Sequence, residues 1–211
     1  MTDIGFFLAV LASVFAIVDP IGTLPFFVGL TQGFDAGDRA VILRRAVLVL
    51  LMVLSLFALF GRFLFTAFGF TLQAFEIAGG ILLFVVAFDM LRGELTATRL
   101  TPADRDEAIA RRDELSVVPL GIPLLAGPGA ISTVMIYEGT AGGDPLGILA
   151  TFVAIALVSA ATFLILRYGH GIFTYLGRVG VMAVTRVMGL ILAAVGVQFV
   201  LDGIVGFLAH L

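Results

Sequence analysis

Apolar residues fill the chain in six long blocks, separated for the most part by short polar links. A helix needs roughly 20 mostly apolar residues to cross the hydrocarbon core of a bilayer. The blocks that reach this length are about Ile4–Leu30, Val41–Phe60, Phe70–Leu91, Val117–Tyr137, Leu146–Leu166 and Val184–Leu201. The pattern predicts an all-α polytopic membrane protein, a single membrane domain over 1–211 with six transmembrane spans. Two blocks carry helix breakers at their centres: the stretch IVDPIGTLPFF interrupts span 1 at Asp19-Pro20, and Gly127-Pro128-Gly129 interrupts span 4. Two longer polar connectors stand out, Arg92–Leu115 and Arg167–Thr185. In the first, Thr101-Pro102 followed by acids predicts a short surface helix over Pro102–Leu115.

The second half of the chain echoes the first. Setting Phe75–Gly93 beside Thr185–Gly203 pairs Gly79 with Gly189, Ile81 with Ile191, Leu82 with Leu192, Val85 with Val195, Leu91 with Leu201 and Gly93 with Gly203. Nearly the same offset lays Asp19-Pro20 on Gly127-Pro128. The chain then parses as repeat 1 over about 1–92, a connector over about 93–115, and repeat 2 over about 116–211. Three crossings per repeat force the two halves into opposite orientations. This predicts two inverted three-span repeats, with spans 1 and 4 discontinuous at the midplane, the plan of many secondary transporters.

Composition agrees with the pattern. The chain is 61% hydrophobic and 13% charged, against about 45–50% apolar and 25% charged in soluble domains. Lysine is absent, and eleven of the twelve arginines fall in the connectors after spans 1, 3 and 5, leaving Arg62 on the other side. Positive charge marks cytoplasmic loops, so both termini are expected outside the cytoplasm in a multi-pass plasma (inner) membrane protein. Nothing basic precedes the first apolar run, so that segment is expected to be retained rather than cleaved. The absence of cysteine excludes disulfides and thiolate metal sites. No basic patch with interleaved aromatics points to nucleic acid. With no HExxH, GxSxG or cysteine motif, an enzyme is not expected.

The chemistry concentrates at the two breaks. Pro20, Pro25 and Pro128 disturb the helical ladder, and Gly22, Gly127 and Gly129 add conformational freedom. Irregular backbone at membrane depth is tolerated where it is buried in protein or lines a wet cavity. Freed N–H groups at the start of a half-helix suit a carboxylate, and freed carbonyls suit an ammonium or a cation. A zwitterionic amino acid satisfies both, with Thr23, Ser132 and Thr133 as further hydroxyl donors. The blander alternative is a pair of kinks that serve packing alone. Asp19 costs roughly 2.5–3.5 kcal/mol if charged at a helix centre, which marks it as the coupling candidate, through a proton, an amine or Na⁺. Alternatively it caps the second half-helix. Glu76 and Gln198 are secondary candidates, Glu76 facing an interface and Gln198 joining helices. Gly79, Gly80 and Gly189 are expected to permit close helix packing.

Four motifs carry a family resemblance: DPIGTLPFFVGLT at Asp19–Thr31, AGGILLFVVAFDML at Ala78–Leu91, PLGIPLLAGPGAISTVMIY at Pro119–Tyr137 and TRVMGLILAAVGVQFVLDGI at Thr185–Ile204. Together they resemble the MarC family of integral membrane proteins over nearly the whole chain. That family takes Asn or Asp before its Pro-Ile-Gly, so Asp19 is one of two residues the motif accommodates. The resemblance implies six spans, a place near the lysine-exporter superfamily, and transport of small neutral amino acids such as glycine and alanine, coupled to an H⁺ or Na⁺ gradient with no cofactor. It maps a substrate site onto Asp19, Pro20, Gly22 and Thr23, and onto Gly127, Pro128, Gly129, Ser132 and Thr133. A passive channel, or an exporter of another small metabolite, is the alternative.

Overall fold

Asp19 kinks the first apolar block without ending it: Ile4–Leu30 remains one membrane-length stretch, and Asp19 N donates to Phe15 O and Thr23 N to Asp19 O across the kink. Helices α1 (Ile4–Val18) and α2 (Pro20–Leu30) meet at this residue, whose φ of 42° and ψ of 67° are left-handed. A non-glycine residue there costs about 1–2 kcal/mol, and aspartate is one of the few that visit the region, because its short side chain bonds locally. Here Asp19 Oδ1 accepts the Gly22 N–H at 2.9 Å. Pro20 begins α2 and has no N–H to orphan; Pro25 inside α2 cannot donate to the Ile21 carbonyl. These details belong to a computed structural model, which describes residues 4–31, 34–92, 112–173 and 177–209. The part of the expected surface helix at 102–111 lies outside the described residues.

The remaining elements are α3 (Ala36–Phe68), α4 (Leu72–Arg92), a short α5 (112–117), α6 (Pro128–Ala141), α7 (Pro145–Phe173) and α8 (Gly177–Leu208). No strand occurs among the described residues. Five stretches are long and apolar enough to cross a membrane, and a sixth if the bent pair around residues 126–127 counts as one span. Helices α3, α7 and α8, at 33, 29 and 32 residues, are longer than the apolar blocks that announce them. Hydropathy marks only the part inside hydrocarbon, whereas the helical ladder runs on into polar ends. At the start of α3, for example, Asp35 caps the helix by accepting the Asp38 N–H at 2.8 Å.

Span 4 departs most from expectation. The break was expected at Gly127–Gly129, but the irregularity starts eight residues earlier. After α5 the chain makes a wide turn over Leu120–Leu125, in which Leu124 donates to Pro119 O (3.1 Å) and Ala126 to Gly121 O (2.9 Å), with Ile122 in extended geometry. Pro119 and Pro123 are the cause, since neither can donate to the ladder. The two arms, Arg112–Leu125 and Pro128–Ala141, bend by 59°.

Packing follows the helix faces. Val10, Val14 and Val18 bury one stripe of α1, and Ile42, Ala46, Leu50, Leu54 and Ala58 one stripe of α3. The opposite face of α3 leaves Leu48, Met52, Leu59 and Phe63 exposed, as a lipid-facing surface requires. Helices α1 and α2 pack on α7, α3 on the wide turn, α6 and α7, and α4 on α8. At the Arg-rich end Arg112 reaches Asp38 (3.0 Å) and Asp113 (3.1 Å), and Asp113 also pairs with Arg45, tying α5 to α3.

The α4–α8 contact is a glycine seam. A methyl group added at Gly189 would lie 3.2 Å from Ala87 O, one at Gly196 2.7 Å from Gly80 O, and one at Gly203 2.7 Å from Gln73 O. Positions 189, 196 and 203 rise by sevens while 87, 80 and 73 fall by sevens. The two helices are therefore antiparallel with a heptad contact, the spacing that keeps one face on its partner. Small residues there let the backbones close up, which is how helices associate where no hydrophobic force acts between them.

Candidate functional site

The two breaks open on one cavity of about 410 Å³. Asp19, Gly22 and Thr23 line it from the first break, and Gly127, Gly129 and Ala130 from the second. Apolar walls come from Leu83 on α4 and from Ile191, Val195 and Phe199 on α8. The size sits at the low end of the roughly 300–1,000 Å³ of small-molecule sites. It extends along α2 to Phe26, toward the α2–α3 link and Arg39 on α3, and along α8 to Met188, toward Arg186. From α1 only Ile17 and Val18 reach it, and α6 contributes nothing beyond Ala130.

The two half-helix starts differ in electrostatics. At α2 the carboxylate of Asp19 already occupies the Gly22 N–H. At α6 the N-cap is Gly127, with no side-chain cap and no acid in the first turn. Pro128 carries no N–H, so the first donors of α6 are Gly129 and Ala130, both on the cavity wall. An uncapped helix start attracts negative charge. The cavity therefore carries an acid from one break and free donors from the other.

The expected residues divide accordingly. Asp19, Gly22, Thr23, Gly127 and Gly129 come together around the cavity. Pro20 and Pro128 are buried beside it as the residues that start α2 and α6. Pro128 also fits against α4, because a methyl at Gly79 would lie 2.6 Å from Pro128 Cγ. Ser132 and Thr133 do not line the cavity; both hydroxyls donate to Gly129 O, at 2.9 and 2.8 Å. Gln198 was expected to join helices, but its amide donates to Asp202 Oδ1 on its own helix at 2.7 Å. Glu76, half-buried on α4, lies away from the cavity.

On the opposite side of the breaks α1 and α6 are closed against each other. Tyr137 Oη lies 2.8 Å from Ser13 Oγ and donates to Ala9 O at 3.3 Å. Its ring meets that of Phe6 edge-on at 5.8 Å. Nothing in the pattern of hydrophobic and polar positions singles these residues out, since Ser13 and Tyr137 are polar tips on otherwise apolar helices.

Comparison with known proteins agrees with this architecture. The family model described as MarC family integral membrane protein matches residues 4–208. A UPF0056 membrane protein of Methanocaldococcus jannaschii is 38% identical over 208 residues, covering 98% of this chain and 99% of the relative. The Bacillus subtilis UPF0056 membrane protein YvbG is 37% identical over 203 residues, 96% and 95% of the two chains. The Escherichia coli UPF0056 membrane protein YhcE is 34% identical over 192 residues, 91% and 88%. No solved structure matches the chain. With its apolar helices and a family match over nearly its whole length, this multi-pass chain belongs to the MarC family of integral membrane proteins.

Proposed function

We propose that this chain is a secondary transporter of small neutral amino acids, of glycine or alanine size, working by alternating access around the two breaks. The observation that carries this reading is one cavity bordered by both breaks: Asp19 from the first, and the free N–H groups of Gly129 and Ala130 from the second. The ammonium of a zwitterion pairs with Asp19 and its carboxylate with the start of α6.

Packing supports the inverted repeats. Exchanging span 1 with 4, 2 with 5 and 3 with 6 turns the contact of α1–α2 with α7 into that of α3 with the wide turn and α6; the α4–α8 and α3–α7 contacts map onto themselves. The exchange is imperfect, because α6 packs on α7 while α1 and α2 make no comparable contact with α3. On this reading the chain sits in the inner membrane, the Arg-rich side is cytoplasmic and the cavity faces it.

Uptake of labelled glycine or alanine into proteoliposomes tests the proposal. A side chain at Gly127 meets Pro123 O at 2.6 Å, and a leucine would also enter the cavity. Gly127→Leu is expected to lower uptake roughly tenfold or more, the equivalent of at least 1.4 kcal/mol. Uptake no greater than into empty vesicles refutes the reading, and a lack of exchange with unlabelled substrate on the far side favours a passive pore.

Coupling to H⁺ or Na⁺ is proposed to run through Asp19. Asparagine keeps both the tolerance for left-handed backbone and the capping acceptor, so Asp19→Asn is expected to change stability by only a few tenths of a kcal/mol. Uptake by that variant should no longer respond to an imposed pH or Na⁺ gradient. A retained response would leave Asp19 as a cap alone.

A further inference from the structure

A second cavity, of about 200 Å³, lies between α3 and α6 on the side of the breaks away from the first. Arg62 and Glu138 both line it, together with Gly139, Gly142 and Gly143. Arg62 is exposed at this cavity and Glu138 half-buried, and the two opposite charges form no ion pair with each other or with any described residue. Glu138 Oε2 is buried without a hydrogen-bond partner. The guanidinium lies against Gly139, where a methyl group would strike Arg62 Nη2. Arg62 is also the one arginine outside the Arg-rich connectors.

A buried carboxylate oxygen without a partner is costly, and a cavity that sets it beside an exposed guanidinium suits a ligand that complements both. That ligand is a zwitterion, its carboxylate on the Arg62 guanidinium and its ammonium on Glu138. The volume falls below that of drug-sized sites, which restricts the occupant to a small one. Nine residues of α6 separate Glu138 from Gly129, about 14 Å along the helix, so this is a separate site and not an arm of the first.

We infer that Arg62 and Glu138 form an outer site for a small zwitterionic amino acid, on the face opposite the Arg-rich one. The inference rests on the transporter reading above and adds a second site to it. Equilibrium dialysis of the full-length protein in detergent with radiolabelled glycine or alanine tests it. Two molecules are expected to bind per wild-type chain, and one to Arg62→Gln or to Glu138→Gln. Arg62→Lys, which keeps the charge, should retain two, which separates recognition from a packing defect. Ethylamine and propionate, each with half of the zwitterion, should not displace the label. A wild-type stoichiometry of one, or two sites surviving in both neutral variants, overturns the outer site and leaves the transporter reading standing. No binding to any form would remove both.

Discussion

A thiol-reactive bridge between cysteines placed at positions 13 and 137 is expected to stop net transport while leaving binding from the Arg-rich side intact. Ser13 and Tyr137 hold α1 to α6 on the closed side of the breaks, with Phe6 and the Ala9 carbonyl completing the contact. On the transporter reading proposed above, alternating access requires that closure to open once in every cycle. The chain has no cysteine, so the two introduced thiols are the only reactive ones. The tyrosyl side chain spans the gap between the helices to reach Ser13. A bifunctional reagent of tyrosine length is the appropriate bridge. Transport should return when a cleavable reagent is cut. Undiminished net transport by the bridged protein would show that α1 and α6 do not separate there. The milder variant Tyr137→Phe keeps the ring and loses both hydrogen bonds, each worth about 0.5–1.5 kcal/mol. It should raise the labelling of a cysteine at position 13 by membrane-impermeant reagents from the side away from the arginines.

The second large effect is expected at the glycine seam. A methyl group at Gly196 would lie 2.7 Å from Gly80 O and 2.9 Å from Phe84 N. Both obstacles are backbone, so no rotamer change relieves them, and α4 and α8 must move apart. Overpacking of this kind costs about 1–3 kcal/mol even where side chains can adjust, so Gly196→Ala is expected to reach the upper end of that range or exceed it. Gly80→Ala, which strikes Gly196 O from the other side, should do the same. Gly5→Ala is the control, because nothing lies within 4 Å of the added methyl. Thermal unfolding in detergent checks all three. A Gly196→Ala midpoint equal to that of Gly5→Ala would mean the two helices are not in backbone contact.

Much of this is legible in the chain itself. Proline and glycine at the centre of an apolar block are strong local signals, because they act on the backbone of the residue that carries them. Asp19-Pro20 and Gly127-Pro128-Gly129 accordingly mark the two helix starts that border the cavity. The wide turn at Leu120–Leu125 was also written in the chain, in Pro119 and Pro123. It was hidden by the apolar residues around them, which kept the hydropathy of a continuous span. The seam was half legible: Gly79, Gly80 and Gly189 suggested close packing, but the heptad of 189, 196 and 203 acquires meaning only beside the descending 87, 80 and 73 of the partner helix. Ser132 and Thr133 show the reverse error. A hydroxyl near a break has its own helix carbonyl within reach, and on an α-helix the bond to the residue three or four back wins. The pairing of Ser13 with Tyr137 spans more than a hundred residues, and local pattern cannot encode it.

The seam also divides the labour of motion. Helices that touch through backbone at three levels cannot slide past one another without a glycine meeting a neighbour's side chain, so α4 and α8 travel as one body. On the transporter reading, the wall that Leu83, Ile191, Val195 and Phe199 give the cavity is thereby a stator. The shape changes which that reading demands then fall to the opposite wall, where Asp19, Pro123 and Gly127 interrupt the helices.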